Sequence, residues 1–84
     1  MYFVYIVRCN DGSLYTGIAK DLEKRIAEHN SSDLAAKYTR SRRPVAMVFC
    51  EKYDDRSSAL KAEINIKKLS KEEKLKMIEK WNTK

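Results

Sequence analysis

The chain predicts an α+β fold: a three-stranded antiparallel sheet flanked by helices, in the order ββαβαα. Three observations carry this reading. Two runs rich in β-branched and aromatic residues, 2–9 and 14–18, are separated by the turn signal Asn10-Asp11-Gly12-Ser13. A third apolar run, Val45-Ala46-Met47-Val48-Phe49-Cys50, follows Pro44. Helical spacing with recognisable caps marks three further segments, opening near Asp21, Asp55 and Ser70.

The first two runs make a hairpin, because Asp and Gly tolerate the positive φ of a tight turn. Asp21 is the expected N-cap of a helix to about Asn30, with Leu22, Ile26 and His29 on one stripe and Arg25 beside it. Residues 30–44 read as a long polar loop with a helical turn at Asp33 to Tyr38; loops this long in small domains are usually functional or mobile. The continuous apolar run Val45 to Cys50, extending to Tyr53, predicts a strand buried on both faces, hence a central one. Asp54-Asp55 and Ser57-Ser58 supply caps for a helix to about Leu69. Ser70-Lys71-Glu72-Glu73 fits a capping box for a last helix to about Trp81, with Leu75, Ile78 and Trp81 on its buried side.

At 84 residues the expectation is one domain, 1–84, with a small core. No apolar run is long enough to span a membrane. The chain opens directly on a strand-like run rather than a signal peptide, so a reducing, cytoplasmic setting is expected. Cys9 and Cys50 lie in strand-like runs without metal-ligand spacing and read as small apolar side chains. The formal net charge of +6 points to polyanions, chiefly nucleic acid. Lys and Glu intermix in the last third, a solvated face. Lys37, Arg40, Arg42 and Arg43 instead cluster without a local acid, which favours an anionic partner. Tyr38 among them can stack on an unpaired base.

Four polar residues of the first 29 stand out. Tyr5 and Tyr15 fall on neighbouring strands of the hairpin. Arg25 and His29, four apart, share a helix face. Two phenols, a guanidinium and an imidazole suit chemistry on a phosphate better than a core. Each has a bland alternative: packing for the tyrosines, an ion pair with Asp21 for Arg25, the helix macrodipole for His29. Glu63 lies in a mostly apolar stripe with Ala59, Leu60 and Ile66. Its carboxylate needs compensation, either from a hard divalent cation or from Lys67 four positions on.

The motifs Val4-Tyr5-Ile6 and Tyr15-Thr16-Gly17, the helix with Arg25 and His29, the basic stretch Ala36 to Val45, and a later helix with Glu63 resemble the GIY-YIG endonuclease family. The resemblance is to its small stand-alone bacterial branch and covers nearly the whole chain. It implies a divalent-metal-dependent, structure-selective DNA endonuclease. Glu63 would hold Mg²⁺ (or Mn²⁺), Tyr5 would activate water and Tyr15 would orient it. Arg25 would neutralise developing charge, and His29 would manage the proton. Gly17 would permit a close backbone approach. Lys37, Tyr38, Arg40, Arg42 and Arg43 would hold branched or single-stranded DNA. Two positions depart from the pattern: Ile18 where many members carry lysine, with Lys20 nearby, and Leu75 where many carry asparagine. These departures favour the alternative, a catalytically weak nucleic-acid-binding module. A protein-interaction domain with a solvated Lys/Glu surface is the third reading.

Overall fold

The computed structural model describes residues 1–31, 39 and 41–83. Its elements are β1 (Tyr2–Arg8), β2 (Leu14–Ala19), α1 (Leu22–Ser31), β3 (Ala46–Tyr53), α2 (Arg56–Lys67) and α3 (Lys71–Asn82). The ββαβαα order and the three-stranded antiparallel sheet are as expected. The expected turn at Asp33 to Tyr38 lies outside the described residues.

The strand order is β2-β1-β3, so the central strand is β1 and not the Val45–Cys50 run. Composition is misleading here. Val4, Tyr5, Ile6 and Val7 are all buried, whereas only Phe49 of β3 is. The apolar residues of β3 sit partly exposed at a sheet edge, and Val45 is buried ahead of the strand. Pairing of β1 with β3 slips between Ile6 and Val7, where Ile6 faces Phe49 and Val7 faces Met47. That bulge absorbs Val48.

The sheet separates two apolar clusters. On one face Val4, Ile6 and Phe49 pack with Ala59 and Ile66 of α2 and Ile78 of α3. On the other, Tyr5, Val7, Cys9 and Val45 pack with Tyr15, Leu22 and Ile26. Strand alternation does this: Tyr5 and Val7 point to α1, Val4 and Ile6 away from it. Ile18, at the departed lysine position, packs against the first cluster. Leu75, expected on the buried side of the last helix, is 40% exposed; Met77 and Trp81 meet the core beside Ile78 instead. Cys9 and Cys50 are free thiols.

The helix starts follow the capping chemistry. Asp21 Oδ1 accepts the Lys24 amide at 3.1 Å, and Asp55 Oδ1 accepts that of Ser58 at 2.7 Å. Ser70 and Glu73 form the reciprocal capping box, at 3.1 and 3.0 Å. Ser70→Ala removes one half of it and is expected to lower stability by ~1 kcal/mol in urea unfolding. Among the described residues, no helix is long and apolar enough to cross a membrane.

Candidate active site

The site is built around an absent side chain. Tyr5 on β1 pairs with Gly17 on β2. A Cβ at Gly17 would lie 2.7 Å from the Tyr5 hydroxyl, 2.9 Å from its Cζ and 3.2 Å from Tyr15 Cε2. The glycine lets the Tyr5 ring pass across β2, so the group that comes close is a side chain and not the backbone expected from sequence. Gly17→Ala is expected to destabilise the fold by about 1–3 kcal/mol through overpacking, measurable by urea unfolding.

Laid over Gly17, the Tyr5 hydroxyl meets His29 of α1: Oη and Nε2 are 2.8 Å apart. Both rings meet His29 edge-on, Tyr5 at 5.8 Å and Tyr15 at 5.4 Å between centroids. The other imidazole nitrogen, Nδ1, is 2.7 Å from Thr39 Oγ1. Tyr5, His29 and Thr39 are 1%, 0% and 0% exposed. Nothing in the sequence pattern marks Thr39, a threonine in a polar basic segment.

Arg25 stands one turn before His29. Its expected partner Asp21 is engaged in capping, so the guanidinium pairs instead with Glu28 at 3.1 Å. It also hydrogen-bonds the Tyr5 hydroxyl, which links it to the cluster. Ile18, Ala19, Lys20, Asp21, Lys24, Arg25 and Glu28 line an adjoining cleft of about 290 Å³. Lys20 Nζ also lies 5.4 Å from the centre of the Tyr2 ring, a cation–π contact.

Burial sets the protonation states. It pushes the Tyr5 phenol up to about 12, although the hydrogen bond and charge of Arg25 pull it down; Tyr15 and Glu63 push it further up. It pushes His29 down to about 4, with the Arg25 charge reinforcing, Glu28 opposing and Arg43 reinforcing. At neutral pH Tyr5 is therefore protonated and His29 uncharged, so the macrodipole reading of His29 fails. Moving the phenol proton onto the resting imidazole is therefore uphill.

Glu63 arises from α2, on the opposite face, yet close enough for its charge to act on the Tyr5 phenol. Its side chain is 16% exposed and pairs with Lys67 at 3.4 Å, the bland partner foreseen from sequence. Among the described residues, no group of three or more His, Cys, Asp or Glu gathers. Glu63 is the carboxylate that would be offered to a divalent ion, with water and substrate phosphate filling the rest of its shell. That suits a largely buried carboxylate paired with a half-exposed lysine, and it suits Mg²⁺, which keeps several waters.

Of the basic segment, Lys37, Tyr38 and Arg40 lie outside the described residues. Arg42 does have an acid, contrary to the local sequence: Asp11, 31 positions away in the β1–β2 turn, accepts its Nε–H at 3.0 Å. Arg43 Nε donates to the His29 carbonyl at 2.6 Å. Asn30 brackets Val45, accepting its N–H at 2.7 Å and donating to its carbonyl at 3.0 Å. The end of the basic segment is thus tied to the helix that carries Arg25 and His29.

The chain belongs to the GIY-YIG family: the family model for the GIY-YIG catalytic domain matches residues 1–76. That membership is in a nuclease family and implies nucleic-acid binding. Within it, the chain is similar to UPF0213 proteins. It is 56% identical over 77 residues to one from Staphylococcus saprophyticus, covering 92% of this chain and 93% of that protein. A Staphylococcus aureus UPF0213 protein is 52% identical over 77 residues, with the same shares covered. The solution NMR structure of a UPF0213 protein from Bacillus halodurans superposes with a TM-score of 0.60 at 38% identity, over 94% of this chain and 84% of that one. That of an E. faecalis protein superposes at 0.66 and 41% identity, over 99% and 88%.

Proposed function

We propose that this protein is a divalent-metal-dependent endonuclease that hydrolyses phosphodiester bonds in DNA. One observation carries the reading: two tyrosines, an arginine and a histidine converge over Gly17, with Glu63 in electrostatic reach from the far layer. A packing role alone would not require a glycine to admit a phenol, nor set a guanidinium on that phenol.

Each group then has a task. Glu63 holds Mg²⁺ or Mn²⁺, which when bound polarises the phosphate and stabilises the leaving oxygen. Arg25, always charged and planar, neutralises charge that builds on the phosphorus oxygens. Tyr5 takes a proton from the attacking water only as it releases its own, since the phenolate is not a resting state. His29 Nε2 is placed to receive that proton transiently. Tyr15, edge-on to His29, positions the water. Lys20 and Lys24 in the adjoining cleft hold the neighbouring backbone, as do Lys37, Arg40, Arg42 and Arg43, with Tyr38 stacking on an unpaired base.

Among the described residues, the sheet and its helices are the elements available to meet DNA, and selection by DNA shape is the expectation that goes with them: flaps, junctions or single-stranded regions. In a competition assay with Mg²⁺, flap or junction DNA should be cut in preference to linear duplex of the same sequence. Equal cutting of both would remove the selectivity, and salt-sensitive binding without any cutting would favour the binding-module alternative. The Glu63–Lys67 pair is the feature that favours that alternative, because the ammonium competes with a metal for the same carboxylate.

A further inference from the structure

His29 makes two buried hydrogen bonds, and only one of its partners, Tyr5, has a task in the proposed reaction. The second, Thr39, is fully buried and sits 2.7 Å from Nδ1. A neutral imidazole carries one proton, so the two bonds are coupled. Either Nδ1–H donates to Thr39 and the Tyr5 hydroxyl donates to Nε2, or Thr39 donates to Nδ1 and Nε2–H donates to Tyr5. In the second arrangement His29 cannot take a proton from Tyr5. In the first, Nε2 offers its lone pair to the phenol, and the Tyr5 oxygen keeps a lone pair for water beside Arg25.

We propose that Thr39 is a positioning residue: its hydroxyl accepts Nδ1–H of His29, fixes that tautomer and turns the Nε2 lone pair onto Tyr5. The surroundings hold Thr39 for this role. Its carbonyl accepts the Arg42 amide at 3.0 Å, and the Arg42 carbonyl accepts the Asn10 amide at 2.8 Å. Arg43 is bonded to the His29 carbonyl itself at 2.6 Å. Thr39 also stands between Tyr38 and Arg40 in the sequence, within the basic segment to which the proposed function gives the DNA backbone. Its catalytic value rests on the nuclease reading; the state of the imidazole ring does not.

The test is ¹⁵N NMR of the free protein at neutral pH, where the nitrogen shifts and their couplings to the ring C–H protons distinguish the two tautomers of the single histidine. The wild type is expected to show Nδ1 protonated and Nε2 bare. Thr39→Val should shift the population toward Nε2–H, and Thr39→Ser should restore the wild-type pattern. With Mg²⁺ and flap DNA, Thr39→Val should lower the single-turnover rate by about 10²-fold at unchanged DNA affinity. An Nε2–H wild type, or a Thr39→Val protein with the wild-type tautomer, overturns the proposal. The wild-type measurement decides even where Thr39→Val fails to fold. The expected tautomer shift in a protein that cuts no DNA would sink the nuclease reading and leave the positioning role standing.

Discussion

Glu63→Gln is expected to lower Mg²⁺-dependent cleavage by on the order of 10³-fold or more, equivalent to ~4 kcal/mol of transition-state stabilisation. The magnitude follows from the donor set. Among the described residues, no group of three or more potential ligands could take over if Glu63 lost its charge. The substitution keeps the size of the side chain and its place beside Ala59 and Ile66. The stability change should be small, because the pair with the half-exposed Lys67 contributes only a few tenths of a kcal/mol. Activity and stability thus separate, and melting curves of the two proteins measured alongside single-turnover rates check this. Near-wild-type cleavage by Glu63→Gln would move the metal elsewhere or remove it from the mechanism.

The second large effect is on stability in mild acid. His29 titrates near 6.5 when unfolded and at about 4 when folded, chiefly because it is buried. Between those values the unfolded chain binds more protons, so unfolding is favoured as pH falls. The contribution is fully present above about pH 7 and is lost as pH falls from 6.5 through 4, amounting to ~3 kcal/mol. Asp11, Asp55 and Glu73 are also held low, by hydrogen bonds from Ser13, Ser58 and Ser70, but their losses belong to lower pH. Urea unfolding between pH 4.5 and 7 should therefore show a slope that His29→Gln abolishes, whatever that variant's baseline. The same titration has a kinetic face. Cleavage should show no histidine limb near pH 6.5, because the imidazole is already neutral throughout the physiological range.

These two residues illustrate what the sequence could and could not convey. His29 and Arg25 were readable as a pair because a helix fixes i, i+4 neighbours. The hairpin and the capping box were readable because Asn10 to Ser13 and Ser70 to Glu73 carry their chemistry within four residues. Glu63 is legible only as an awkward carboxylate, because its influence on Tyr5 joins residues 58 positions apart. Thr39 was invisible, since a hydroxyl that bonds a ring ten positions away leaves no periodic trace. Asp11 beside Arg42 was hidden for the same reason, across 31 positions. The central strand was misassigned because an apolar run reports burial, not the number of strand neighbours. In β3 that run includes the bulged Val48 and ends at a sheet edge. Leu75 has helical spacing to Ile78 but is 40% exposed, because the buried stripe is set by Met77, Ile78 and Trp81.

In the proposed function, Glu63 and the residues gathered at Tyr5 act as one metal-dependent hydrolytic site. Single-turnover cleavage of flap DNA by the wild-type protein, with Mg²⁺ and with the metal chelated, tests it most directly. The expected result is strand cleavage with Mg²⁺ that chelation abolishes while salt-sensitive DNA binding persists. Tight binding with no strand cleaved under either condition, or cleavage that survives chelation, would contradict it.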